Sequence, residues 1–297
     1  MSEENIIMSS KRYVLYGIYK FLKIIGYRKF SAQRFRSMNI ILFHRINDYS
    51  KDSLTISTKR FDTMMQMLYR EYKVVSLGEM VNVLRKGEVI DPKAVAITFD
   101  DGYMDNYTFA APILGKYSLP ACFFITSGYI GTTRVFPWDK ESGKFFALMN
   151  WDHVRSLVDR GFEIGAHTID HVDLGTEPLN SAKYQIVSSK KEIEQNIGSE
   201  VRYFAYPFGS RKNIRQEIRD MVKEAGFLCC CSGYGGKVTQ ESDPYDLPRI
   251  STYPNCIEMR MELDNFMTYY DGEMSINVPY LDAMAKLLPK HNHPSFR

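Results

Sequence analysis

From Asn39 onward, short apolar runs alternate with stretches of helical periodicity, and no other feature limits the fold so tightly. The runs cover residues 40–43, 73–75, 94–99, 121–126, 162–166, 203–206 and 227–231, with a shorter one at 247–250. Helical patterns fill the intervals at 58–71, 77–86, 107–116, 151–160, 182–196 and 214–225. Several boundaries are written into the residues. Ser76 and Glu79 make a capping box for the helix that begins at Leu77. Gly161 and Gly226 follow helices where a left-handed turn is wanted, and Pro120 separates a helix from the next strand. Seven or eight strands, each followed by a helix, call for parallel strands with crossover connections, either a closed barrel or an open doubly wound sheet. Polar residues follow at least five of the runs. A βα barrel gathers such strand ends on one face, whereas an open sheet gathers them at one crevice. The expected fold is therefore an α/β barrel.

A chain of 297 residues, 44% hydrophobic and 25% charged, can bury a substantial core without staples. A metal site in it is then more naturally catalytic than structural. Five cysteines include the consecutive Cys229, Cys230 and Cys231. Adjacent strand residues point to opposite faces, so this run suits a buried strand in a reducing compartment rather than a disulfide framework, and it lacks the Cys-x-x-Cys spacing of a metal site. A net charge of +3 gives no case for nucleic acid. No apolar stretch is long enough for a spanning helix. Lys20 and Lys23 interrupt the apolar stretch 13–25, and no small-residue cleavage site follows it, which speaks against a signal peptide. Within 12–36, Tyr13, Leu15, Ile18, Tyr19, Leu22, Ile24 and Ile25 can line one stripe of a helix rich in Lys and Arg. Such a helix suits either an anionic membrane surface or packing on the main domain. The chain divides into a basic amphipathic helical segment (1–37), a barrel domain (38–275) and a polar tail (276–297).

Two segments carry the chemistry. In Val95-Ala-Ile-Thr-Phe-Asp-Asp-Gly-Tyr103 a buried strand runs into two adjacent carboxylates. Neighbouring buried acids repel, and a fold tolerates them when a cation sits between them or one acts as a base. In Phe162-Glu-Ile-Gly-Ala-His-Thr-Ile-Asp-His171 a second strand runs into His167 and His171, four residues apart. If the chain turns helical after Ala166, both imidazoles share a face and can share a metal. One carboxylate of Asp100 and Asp101 completes three ligands with an open fourth position, and the other is free to act as a base. Three weaker segments accompany them. His44 closes the first strand and suits a general acid. Pro207 and Gly209 impose a tight loop after a strand, able to aim a backbone N–H into the site. Arg249 can orient a carboxylate by a paired hydrogen bond.

Together, Thr98-Phe-Asp-Asp-Gly, His167-Thr-Ile-Asp-His171 and the Tyr-Pro-Phe-Gly loop resemble the polysaccharide deacetylases with a NodB-type domain, carbohydrate esterase family 4. The resemblance runs over residues 39–252. It implies a distorted (β/α)7-8 barrel and one divalent metal, usually zinc, with cobalt, nickel or manganese as alternatives. By motif position Asp101, His167 and His171 are the implied ligands, Asp100 the base and the Phe208 N–H an oxyanion donor, with Tyr103 and Pro207 beside the substrate. The chain departs from the better-known members twice. Ala205 stands where they carry an Arg that steadies the base, which leaves Arg249, or else Arg202, to replace it. Their late Leu-x-His strand is missing, since His291 and His293 lie in the polar tail. Phe43-His44-Arg45 instead resembles the branch acting on poly-N-acetylglucosamine exopolysaccharide, with the acid on an N-terminal strand.

The implied reaction is hydrolysis of an N-acetyl group on an amino sugar of a polysaccharide or glycan precursor, releasing acetate. O-acetyl ester or non-sugar amide hydrolysis, and a non-catalytic glycan-binding relic, are the rivals. The basic helix and the missing leader place the expected enzyme in the cytoplasm at the membrane face, in surface-polysaccharide synthesis.

Overall fold

The apolar runs build one curled, largely parallel sheet. The computed structural model describes residues 10–24, 36–251, 255–270 and 273–276. Six strands stand side by side in chain order: β1 (Ser37–Phe43), β2 (Ala94–Phe99), β3 (Cys122–Ile125), β4 (Glu163–Ala166), β5 (Tyr203–Ala205) and β6 (Cys229–Cys231). All five neighbouring pairs are parallel. The seventh, β7 (Ile250–Ser251), pairs with the other edge of β1 through Ile41 and Leu42. Just upstream, Leu247 bridges Cys231 of β6. The segment 247–251 thus touches both edges of the sheet and closes it into a distorted barrel.

Period-two alternation sorts the strand side chains into two apolar layers. Met38, Ile40, Ala96, Cys122, Phe124, Cys229 and Cys231 fall in an inner cluster. Ile41, Phe43, Val95, Ile97, Phe99, Phe123 and Phe204 face the outer one, beneath the helices. The cysteine run is therefore a buried strand with thiols in both layers, and all five cysteines are free. The longer helices are α1 (Ser10–Ile24), α2 (Thr58–Glu71), α3 (Leu77–Arg85), α4 (Ala111–Lys116), α5 (Trp151–Asp159), α6 (Leu179–Ile197), α7 (Gln216–Glu224) and α8 (Cys256–Leu263). Ser76 and Glu79 cap α3 reciprocally, and the Glu163 carboxylate accepts the N–H groups of Leu77 and Gly78 at the same helix end. Helix α3 then packs Leu77, Met80, Val81 and Leu84 on the inner cluster.

The ends of the first strands are levelled by stacked rings. Phe43 stacks on Phe99 at 5.3 Å and Phe99 on Phe123 at 4.7 Å. Phe43 and Phe99 are each the last residue of a strand, and the register pairs them directly. Truncating Phe99, directly below Asp100, should cost about 3–5 kcal/mol.

The structure corrects the sequence reading in three places. Lys73–Val74 is no full stave, for it pairs only with Ala94 and Val95 at the start of β2. The helix expected at 107–116 begins as a π-helical turn, Asn106–Ala110, before α4. Pro112 lacks the N–H that an unbroken α-helix needs there. Helix α8 and the hairpin of Met267–Tyr270 with Glu273–Ile276 were not anticipated. Helix α1 takes the second of the two placements open to it and packs on the main domain: Leu15 and Tyr19 are buried in the main core, and the Tyr19 hydroxyl donates to Asp264 at 2.7 Å. No described helix is long and apolar enough to cross a membrane. The predicted tail beyond Ile276 lies outside the described residues.

Candidate active site

The polar groups converge where the strands end, at the face on which βα barrels carry their sites. Asp100 follows β2 directly, and its N–H donates to Phe43 O. Asp101 comes next with φ +78°, while Gly102 N–H donates to Asp100 O at 3.0 Å. This is a γ-turn centred on Asp101, a strained conformation for any residue but glycine. It aims two consecutive carboxylates in different directions.

His167 follows β4, and its Nδ1 lies 2.8 Å from Ala205 O. The carbonyl fixes the proton on Nδ1 and leaves Nε2 as a lone-pair donor. That Nε2 is 3.6 Å from Asp101 Oδ1 and 3.9 Å from Asp100 Oδ2. His171 Nε2 is 3.3 Å from the same Asp101 oxygen. The helical turn expected after Ala166 is absent. Thr168 and His171 both adopt left-handed backbone, at φ +64° and +55°. The loop is held instead by the Gln185 side-chain oxygen, which accepts from Ile169 and Asp170 N–H, and by Thr168 Oγ1, which accepts from His171 N–H. The two imidazoles still meet, their rings 4.8 Å apart.

Arg249, just before β7, is fully buried and grips Asp100 with a fork. Nη1 donates to Oδ1 and Nη2 to Oδ2, each at 2.7 Å. Its Nε donates to Ser232 O at 2.6 Å, so the guanidinium plane is fixed from behind. Arg202, the alternative, is exposed and pairs with Glu200. His44 follows β1 directly, with its carbonyl held by Asn106 Nδ2 at 2.7 Å.

Burial opposes charge on Asp100, but Arg249, followed by His167, holds its carboxyl below the usual range. Burial also opposes charge on Asp101, and the neighbouring His171 outweighs it. His167 is pushed down to about 4 by burial, against the pull of Asp100 and Asp101, so at neutral pH it is a neutral imidazole. Burial lowers His44 too, against the upward pull of Asp101 and Asp100.

The Pro207–Gly209 loop follows β5. Gly209 N–H donates to Pro207 O at 2.7 Å, a second γ-turn, here centred on Phe208 at φ +62°. Among the described residues, four of the six non-glycine residues with positive φ, namely Asp101, Thr168, His171 and Phe208, belong to this one site. Backbone strain concentrated in this way marks functional loops.

Tyr103 is not at the mouth. It is completely buried, and its hydroxyl donates to Asp139 at 2.7 Å while accepting from Arg45 and Trp138. It supports the site from below rather than meeting substrate. Its partner Trp138, which the sequence reading missed, sits edge-on to His171 at 4.8 Å, and Phe208 does the same at 4.9 Å. The only sequence signal for Trp138 is that it is one of two tryptophans.

Asp101, His167 and His171 fit a divalent cation. One donor atom from each lies within 4.8 Å of the others, and Asp101 Oδ1 is buried without a hydrogen-bond partner. Two imidazoles and a carboxylate are a zinc-type donor set with room for further ligands.

Residues 88–229 match the family model described as polysaccharide deacetylase. This family consists of hydrolases that act on amide C–N bonds. The chain is 26% identical over 216 residues to YxkH of Bacillus subtilis, provisionally named a polysaccharide deacetylase, covering 72% of this chain and 71% of that one. It is 26% identical over 206 residues to the poly-β-1,6-N-acetyl-D-glucosamine N-deacetylase of Staphylococcus aureus, covering 66% of this chain and 67% of that one. Among solved structures, IcaB from Ammonifex degensii superposes with a TM-score of 0.67 at 22% identity, over 77% of this chain and 97% of that one. At that identity the last likeness bears on the fold alone.

Proposed function

We propose that this protein is a cation-dependent carbohydrate N-deacetylase acting on N-acetylated glucosamine residues of a polysaccharide or its precursor. The observation that carries the reading is the division of labour between two adjacent carboxylates. Asp101 faces two imidazoles, whereas Asp100 is claimed by Arg249. The relative named for poly-β-1,6-N-acetyl-D-glucosamine supports the substrate class.

Asp101, His167 and His171 would hold the cation. When bound, it supplies the Lewis acidity that polarises an acetyl carbonyl and acidifies water. Asp100, kept ionised and in plane by Arg249, takes the proton from the attacking water. The Phe208 N–H serves the developing oxyanion, its direction set by the γ-turn. His44 passes a proton to the leaving amine nitrogen. Burial disfavours its charged form and the two aspartates favour it, so His44 is suited to holding a proton transiently.

The test is acetate release from N-acetylglucosamine oligomers beside an O-acetylated sugar. Release from the amide, abolished by a chelator and restored by zinc or cobalt, is expected. Turnover of the ester alone, or indifference to the chelator, would overturn the proposal.

A further inference from the structure

Helix α1 carries two apolar faces, and the fold covers only one. Leu15 and Tyr19 point into the core, where Tyr19 meets Phe266 edge-on at 5.4 Å and donates to Asp264. On the other side Val14 is 52% exposed, Phe21 62% and Ile24 83%, with Gly17 and Lys20 exposed between them. The spacing 14, 17, 21, 24 is that of one continuous helical stripe. Scattered apolar residues on a surface need no explanation, but an ordered stripe on one helix does.

The charge around the stripe identifies its occupant. Between Asn5 and Arg36 there are eight lysines and arginines and no acidic residue, in a chain whose net charge is only +3. The remainder of the chain is therefore net acidic. A second copy meeting it through the same face would set this cationic segment against itself. An anionic lipid surface satisfies both features at once, taking the apolar stripe among the acyl chains and the basic residues among the headgroups.

We infer that the outward face of α1, centred on Phe21 and Ile24, docks the protein on an anionic membrane surface. The placement leaves the site accessible. Tyr19 and Tyr72 share Asp264, and Ser37, the first residue of β1, donates to the neighbouring Asn265. The helix is thus anchored near the start of β1, whereas the site lies at its end, about 20 Å away for a seven-residue strand.

The test uses the full chain and co-sedimentation with vesicles of phosphatidylcholine alone or with about 30% phosphatidylglycerol. Binding to the anionic vesicles only, weakened about tenfold or more by raising salt from about 0.1 to about 0.5 M, is expected. Phe21→Glu and Ile24→Glu should each lower the partition constant at least about tenfold. Because both side chains are exposed, the variants should melt with the wild type and keep its activity on soluble oligomers. The inference fails if anionic vesicles do not bind the protein, or if both variants bind as the wild type does. It fails equally if sedimentation velocity finds a dimer that Phe21→Glu dissociates, which would make a second copy the occupant.

Discussion

Arg249→Lys tests the division of the two carboxylates most directly. Lysine keeps the charge but cannot reproduce a planar fork. Arg249 makes two charge-assisted bonds of 2.7 Å to Asp100, and lysine at best keeps one. A hydrogen bond to a charged group is worth about 1.5–3 kcal/mol, so kcat should fall about 10- to 100-fold. A merely structural role predicts no change in the pH profile, whereas the proposed role does. Arg249 is the chief influence holding the Asp100 carboxyl below its ordinary range, so loosening it lets that value rise. The acidic limb of kcat/KM should therefore move to higher pH in the variant. Stability follows the same sign. A lowered carboxyl stabilises the fold above the unfolded value of about 4, and the contribution fades as pH drops through the folded value. Arg249→Ala strands a buried carboxylate and should cost about 3–5 kcal/mol at neutral pH, with the deficit shrinking in acid. The assay is acetate release across pH with saturating cation, alongside Asp100→Asn and the double variant. Asp100→Asn alone should lose about 100- to 10,000-fold, and adding Arg249→Lys should then change little. If Arg249→Lys works within about twofold of wild type with an unmoved acidic limb, the positioning argument is refuted.

Other perturbations probe separate parts. His44→Ala should bind cation normally by calorimetry yet lose about 100- to 10,000-fold in turnover of the amide; near-full rate would remove His44 from the mechanism. Gly209→Ala places a methyl 2.5 Å from Gly233 N at a backbone φ of +61°, so the loop must shift and carry Phe208 with it. Turnover should drop about 100- to 1,000-fold with cation affinity intact, as for a lost oxyanion donor; unchanged turnover would take Phe208 out of that role. Asp105 is raised to about 6, chiefly by burial against the hydrogen bond from Asn47. The folded chain then keeps a proton that the unfolded chain loses, so stability should fall by up to about 3 kcal/mol as pH rises from about 4 to about 6 and level off above. Denaturant titrations of Asp105→Asn should lack that slope, and an identical slope in the variant would assign it elsewhere.

Much of this architecture is legible because buried parallel strands carry few polar residues, so the first polar group after each run stands out. Asp100 after residues 94–99, His167 after 163–166 and His44 after 37–43 all announce themselves in this way. The approach of His171 does not. Its geometry depends on Gln185 and Thr168 holding left-handed backbone, a long-range arrangement with no local signature. The Arg45–Tyr103–Asp139–Trp138 network is hidden for the same reason, since its members lie up to 94 residues apart. Helix α8 escaped because its apolar and charged residues follow no amphipathic period: Glu258 and Glu262 are buried beside Met259, Met261 and Leu263.

The two departures from the familiar deacetylase pattern find their explanation at a single place in the fold. The seam of the barrel is where β7 meets β1, with Ile250 opposite Ile41. Beside β1 lies β2, in register from Asn39 with Val95 to Phe43 with Phe99. Arg249 therefore enters one strand away from His44 and two from Asp100, which is the reach its fork spans. A guanidinium delivered from β7 makes one after β5 redundant, and this is consistent with an alanine at position 205, whose carbonyl orients His167 instead. The histidine that follows β1 occupies the same seam, and the charges that act on it include Asp101, Asp100 and Arg249. The proposed acid, the proposed base and the group that steadies the base are thus set by the pairing of three adjacent strands. A substitution that weakens the β7–β1 seam, such as Ile250→Ala, should accordingly disturb proton transfer more than cation binding, because Asp101, His167 and His171 are carried by β2 and β4 alone.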